Sequence, residues 1–159
     1  MRLALLFLAA TCMAAAGQVH ADTALLLVAS DARLVLGPPT INVHAGYLEV
    51  RNPGRTEIII ESVSSDAHRR VHIHRSKIID GIATMEPVDR LPVEPGAAVV
   101  FEPGALHLML TGPTRTITEG DKVVIQLKLS DQRLVPVTMR ASRTAQPAHG
   151  HAGHSSHAH

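Results

Sequence analysis

Thiols and aromatic rings are almost absent from this chain. It contains one Cys, no Trp, one Tyr and two Phe among 159 residues. The cysteine, Cys12, lies in an N-terminal apolar segment, so the rest of the chain has no thiol for a disulfide or a thiolate ligand. This argues strongly against a copper electron-transfer protein, because a blue-copper centre needs a Cys ligand. The scarcity of aromatic rings also argues against a surface on which bases or sugars stack.

An excess of charge of one sign is also lacking. Lys and Arg total 15 and Asp and Glu total 14, and loss of Arg2 with the N-terminal segment would balance them. A balanced chain has no electrostatic reason to bind nucleic acid or anionic lipid. The sequence also lacks a nucleophile motif, a Gly-rich phosphate loop and a zinc signature of closely spaced Cys and His. We therefore expect a binding protein rather than an enzyme, with no nucleic-acid partner.

The N-terminus has the features of a secretory signal peptide. A positive residue, a short apolar run and the small-x-small sequence Val19-His20-Ala21 follow one another in the usual order. We predict a signal peptide over residues 1–21, a mature chain that starts at Asp22 in the periplasm, and no membrane span after the signal is removed. Two alternatives stay open, namely an uncleaved anchor and a lipoprotein acylated at Cys12.

Residues 22–143 have the pattern of one antiparallel β-domain. Short runs rich in Val, Ile, Leu and Thr are separated by Gly- and Pro-containing turn signals about every ten residues, and no segment keeps a helical period. We expect an all-β sandwich or barrel with little helix, present as a monomer. The predicted strands are Ala32–Leu36, Gly46–Arg51, Glu57–Ser64, Arg69–Arg75, Ile82–Met85, Ala97–Phe101, Leu106–Thr111, Lys122–Leu129 and Val135–Arg140.

Two of the methionines outside the signal peptide lie close to histidines. His107 and Met109 are two residues apart in a predicted strand, so their side chains point to the same face. Asp80-Gly81 predicts a two-residue hairpin turn. That turn would place His74 and Met85 on one face as diagonal neighbours, within reach of a long Met side chain.

Two imidazoles and two thioethers form a donor set that suits Cu(I), because the soft thioether selects Cu(I) over harder divalent ions. A thioether also cannot form a disulfide in an oxidising compartment. We therefore predict a Cu(I) site made by His74, Met85, His107 and Met109. For any one of these residues alone, core packing or simple surface exposure is the competing interpretation.

The other histidines of the β-domain are less informative. His72 shares the face of His74 by strand alternation, so it is a candidate extra ligand or a neighbour that orients a ligand. His44 and His68 have no evident partner, and we expect structural roles for both. Met139 has no histidine nearby in the sequence, so core packing is expected.

Residues 144–159 form a low-complexity tail. It contains no large apolar side chain and is predicted to be disordered without metal. Its imidazoles can gather around Cu(II), Zn(II) or Ni(II), and the usual affinity order favours Cu(II). An expression tag and a tail without a role are the open alternatives. The predicted tail ligands are His149, His151, His154, His157 and His159.

The spacing of the four predicted Cu(I) ligands resembles the signature of the PCuAC family of periplasmic copper chaperones. Ten residues separate His74 from Met85, twenty-one separate Met85 from His107, and one separates His107 from Met109. The likeness extends over roughly residues 32–140 and includes Met85-Glu86-Pro87-Val88. His72 departs from the family, which often has an acidic residue there.

This resemblance implies a cupredoxin-like Greek-key β-sandwich or barrel that carries Cu(I), in some members with Cu(II) on a His-rich or Met-rich tail. It further implies copper-accepting partners in cytochrome c oxidase assembly, notably at the CuA centre. The alternative function is that of a periplasmic metal buffer or resistance protein, which would sequester Cu, Zn or Ni mainly through the tail.

Overall fold

The computed structural model describes residues 27–144, so the predicted signal peptide and the five tail histidines lie outside the described residues. Within this range the chain forms ten strands and no helix, and thus no helix that is long and apolar enough to cross a membrane. The strands are β1 (Val28–Leu36), β2 (Val43–Arg51), β3 (Ile58–Ser65), β4 (His68–Ile79), β5 (Ile82–Pro87), β6 (Leu91–Val93), β7 (Ala98–Phe101), β8 (Leu106–Pro113), β9 (Lys122–Leu129) and β10 (Leu134–Ser142).

Seven of these strands close into a barrel. Its order is β4, β8, β2, β1, β10, β9 and β3, and β3 pairs back with β4. Only the β1–β10 pair is parallel, and the other six joins are antiparallel. β5 extends the sheet from β4, β6 pairs with β3, and β7 pairs with β2. The predicted all-β class is confirmed.

The barrel interior is almost entirely aliphatic. Along β9, Val123, Ile125, Leu127 and Leu129 are each at most 1% exposed, and the residues between them face outward. Burial of each such side chain contributes about 1.5–3 kcal/mol relative to exposure. Met139 belongs to this core, as expected. Because the interior is filled by alternate residues, the intervening side chains of each strand remain outside for other roles.

One strand, β6, was not predicted. It has three residues, Leu91–Val93, which is too short for alternation to be recognised, and its middle residue is Pro92. Proline cannot donate to a strand ladder and is tolerated on edge strands. Here β6 ends the strand order and pairs only with β3.

The β4–β5 hairpin has the predicted register. Ser76 lies opposite Met85 and His74 lies opposite Pro87. The turn residues Asp80 and Gly81 have φ values of 52° and 77°, the left-handed conformation that a two-residue type I′ turn requires at both positions. The local Asp-Gly signal therefore sets which side chains of β5 share a face with those of β4.

Candidate metal centre

The candidate site is built on the outer face of the adjacent strands β4 and β8. His74 lies directly opposite His107, and His72 lies directly opposite Met109. Side chains that oppose one another on neighbouring strands have Cβ atoms about 4.5–5.5 Å apart. The residues between them on both strands are buried in the core, so these four side chains point away from it together.

His74 and His107 form the central pair. Their ring centroids are 5.9 Å apart and the rings are nearly perpendicular, at 88°. Nδ1 of His107 lies 3.2 Å from the carbonyl oxygen of Ala105. Because a carbonyl can only accept, Nδ1 carries a proton and donates it, so in the neutral ring the lone pair is on Nε2. This is the usual way in which a neighbouring backbone group fixes the tautomer of a metal-binding imidazole.

The surroundings of His74 keep its ring neutral. Burial lowers the pKa of His74 from its usual value, and the positive charges that His107 and His72 would carry lower it further. Its Nδ1 is buried and has no hydrogen-bond partner among the described residues. Neutral imidazole is the form that binds metal ions, so His74 is prepared for a ligand role at neutral pH.

The two methionines approach this pair from different strands. Met85, on β5, is a diagonal neighbour of His74 and is 63% exposed, whereas Met109 is half-buried on β8. Met85, His107 and Met109 line one open cleft of about 480 Å³. His74 adjoins that cleft through its ring contact with His107. The structure therefore brings the four predicted Cu(I) ligands to one corner of the barrel.

The donor set of this corner fits a soft ion better than a hard one. Within residues 27–144, no group of three or more His, Cys, Asp or Glu side chains is placed to hold a metal. Two neutral thioethers with two imidazoles suit Cu(I), which prefers soft ligands.

His44 and His68 have no evident partner in the sequence, but the fold brings them into contact with each other. Nδ1 of His44 and Nε2 of His68 are 2.9 Å apart, and the residues are 9% and 4% exposed. Burial, followed by the charges of His44 and Arg115, lowers the pKa of His68 to about 4. Burial also lowers the pKa of His44. The sequence carries no signal for this pair, since its members come together only because β2 and β4 flank β8.

Residues 27–141 match the LpqE-like family, described as "Putative lipoprotein LpqE-like". The chain belongs to the LpqE-like family. A curated relative from Leifsonia xyli subsp. xyli, named "Putative lipoprotein Lxx21020", is 28% identical over 98 residues, which cover 60% of this chain and 58% of the relative. The alignment with this relative thus spans less than two thirds of its length.

Solved structures of PCuAC domains share the fold of this LpqE-like protein. The apo PCuAC domain of PmoF2 gives a TM-score of 0.64 at 17% identity, over 77% of this chain and 94% of that domain. Its copper-bound form gives 0.62 at 17%, over 74% and 93%. The solution structure of CuI-DR1885 from Deinococcus radiodurans gives 0.62 at 23%, over 81% and 86%. The fold that the sequence resemblance implied is confirmed.

Proposed function

We propose that this LpqE-like protein is an exported copper chaperone whose cargo, Cu(I), binds to His74, Met85, His107 and Met109. The observation that supports this most is the placement of two imidazoles and two thioethers at one corner of a domain that has no thiol. Proteins with the same fold include a copper-bound PCuAC domain and a Cu(I) form of DR1885.

The proposed mechanism follows from the chemistry of these side chains. In the neutral ring of His107, the Ala105 carbonyl holds the proton on Nδ1, so the lone pair that binds the ion is on Nε2. Neither thioether has a proton to lose. Cargo binding therefore displaces few protons. Since all four ligands are neutral and no thiolate is present, the ion is held less tightly than in a cysteine site and can be passed on.

The open side of the site suits transfer to another protein. Met85 is 63% exposed on a strand that ends the sheet, so an acceptor's ligand can approach the ion as Met85 leaves. We propose copper-accepting proteins of cytochrome c oxidase assembly, with the CuA centre as the destination, and we propose that the chaperone acts as a monomer.

The descriptions of the family and of the Leifsonia relative as lipoproteins support export. They also favour the alternative in which Cys12 is acylated rather than the signal being cut after Ala21. Mass spectrometry of the protein purified from a bacterial membrane fraction and from the periplasm separates the two. A soluble chain that begins at Asp22 supports signal cleavage, whereas a diacylated Cys12 at the new N-terminus supports the lipoprotein.

The histidine-rich tail is proposed as a separate Cu(II) site, and the metal-buffer alternative depends on it. The two functions differ in where Cu(I) binds. In the full chain, replacement of all five tail histidines by Asn should leave Cu(I) affinity unchanged if the chaperone proposal is right. Loss of Cu(I) binding in that variant would instead favour the buffer. The tail positions are His149, His151, His154, His157 and His159.

The strand site is tested by competition of the full-length protein with a chromogenic Cu(I) chelator. The double variant Met85→Leu/Met109→Leu should lower Cu(I) affinity by at least about 100-fold. Even mutation of a residue that only orients a metal ligand lowers metal affinity about 10–100-fold, and here two ligands are lost. Met139→Leu is the matched control, because Met139 is fully buried in the core. Unchanged Cu(I) affinity in the double variant would rule out the proposed site.

A further inference from the structure

His72 lies beside the proposed ligands but is not among the four. It sits directly opposite Met109 on β8, and its ring stacks on that of His74 with centroids 6.0 Å apart and an angle of 19° between planes. His72 is exposed, whereas His74 and Met109 are half-buried. An imidazole thus stands at the outer edge of the site with freedom to turn.

The candidate site therefore has a half-buried centre and two exposed arms of different chemistry. The centre comprises His74, His107 and Met109, on the paired strands β4 and β8. One arm is the thioether of Met85, on the edge strand β5. The other arm is the imidazole of His72, two residues before His74 on β4. The two arms could each supply a fourth ligand to an ion held by the centre.

The rings of His72 and His74 are nearly parallel, so their nitrogen atoms do not converge on one point. No three His, Cys, Asp or Glu side chains in residues 27–144 are placed to hold a metal. Side chains exposed to solvent change rotamer within nanoseconds, so rotation about the Cα–Cβ bond can bring the ring of His72 toward its neighbours.

The oxidation state of copper decides which arm is favoured. Thioethers select Cu(I), whereas imidazole suits Cu(II) and the harder divalent ions. We propose that the fourth ligand depends on the ion: Met85 completes the site for Cu(I), and His72 completes it for Cu(II). Each ion binds as supplied, so no electron transfer is involved. This inference rests on the proposed Cu(I) site and extends it to a second form of the cargo.

The test uses the full-length chain with the five tail histidines replaced by Asn, so that the tail does not compete with the strand site for Cu(II). In the chain without tail histidines, His72→Ala should weaken Cu(II) binding by about tenfold or more. It should also remove one nitrogen from the superhyperfine pattern in the electron paramagnetic resonance spectrum of bound Cu(II). Its Cu(I) affinity should change by less than about threefold, which is under 1 kcal/mol. Met85→Leu should instead weaken Cu(I) binding and leave Cu(II) affinity nearly unchanged.

Arg70→Ala is the matched control, because Arg70 is an exposed residue on the same face of β4. Arg70→Ala should change neither the Cu(I) affinity nor the Cu(II) affinity. The inference is overturned if His72→Ala leaves Cu(II) binding unchanged or weakens both ions equally. Failure of the proposed function is a different result, namely unchanged Cu(I) affinity in Met85→Leu/Met109→Leu.

Discussion

Acid should destabilise the apo-protein through the buried histidine pair. In the folded state burial lowers the pKa of His68 to about 4, against about 6.5 in the unfolded chain. Between these values the unfolded state binds more protons than the folded state, so the free energy of unfolding falls as the pH falls. The contribution of neutral His68 is complete above about pH 6.5 and is lost progressively toward pH 4.

The size of the effect follows from the pKa difference. One pKa unit corresponds to 1.36 kcal/mol, so His68 accounts for up to about 3 kcal/mol, a large share of a typical stability of 5–15 kcal/mol. The lowered pKa of His44 acts in the same direction. The lowered pKa values of Asp121 and Asp131 also make acid destabilising, but their effect is concentrated around and below their usual value of 3.8, at the acid end of this window.

Urea unfolding of the apo-protein, followed by circular dichroism at intervals from pH 7.5 to 4.5, measures this slope. His68→Gln removes the titrating group, so the variant should show a smaller loss of stability over this range even if it is less stable at pH 7.5. Arg70→Gln, at an exposed position on the same strand, should keep the wild-type slope. An unchanged slope in His68→Gln would refute the assignment to the buried pair.

Three further predictions concern the core, the hairpin and the cargo. Leu108→Ala should lower the free energy of unfolding by about 2–5 kcal/mol through cavity formation, whereas the volume-conserving Met139→Leu should cost less than about 1.5 kcal/mol; urea titration at pH 7.5 measures both. Gly81→Ala should cost about 1–2 kcal/mol in the same assay, because a Cβ is strained at φ 77° although nothing lies within 4 Å to clash with it. Free Cu(I) at 100 times its Kd should stabilise the wild type by about 2.7 kcal/mol, seen as a rise in Tm that Met85→Leu/Met109→Leu lacks.

Local signals in the sequence predicted a large part of this architecture. Asp80-Gly81 defines a turn of known geometry, so the register that makes Met85 a diagonal neighbour of His74 could be derived without the structure. Strand alternation likewise placed His107 and Met109 on one face. Both inferences depend on residues close together in the chain, for which backbone geometry is the deciding factor.

Pairings between distant strands could not be derived in this way. Nothing in the sequence alone indicates that β4 lies beside β8, which puts His74 opposite His107 and His72 opposite Met109. The contact between His44 and His68 has the same origin, because it needs the strands on both sides of β8. Here the resemblance to PCuAC proteins supplied the fold, and the closed barrel shows the pairings that residue patterns leave open.

X-ray absorption at the copper edge of the full-length protein, loaded with one equivalent of Cu(I), tests the central claim most directly. The account predicts a first coordination sphere of about two sulfur and two nitrogen scatterers, from the thioethers of Met85 and Met109 and the imidazoles of His74 and His107. A sphere of nitrogen or oxygen scatterers alone would contradict it, because Cu(I) would then be bound elsewhere.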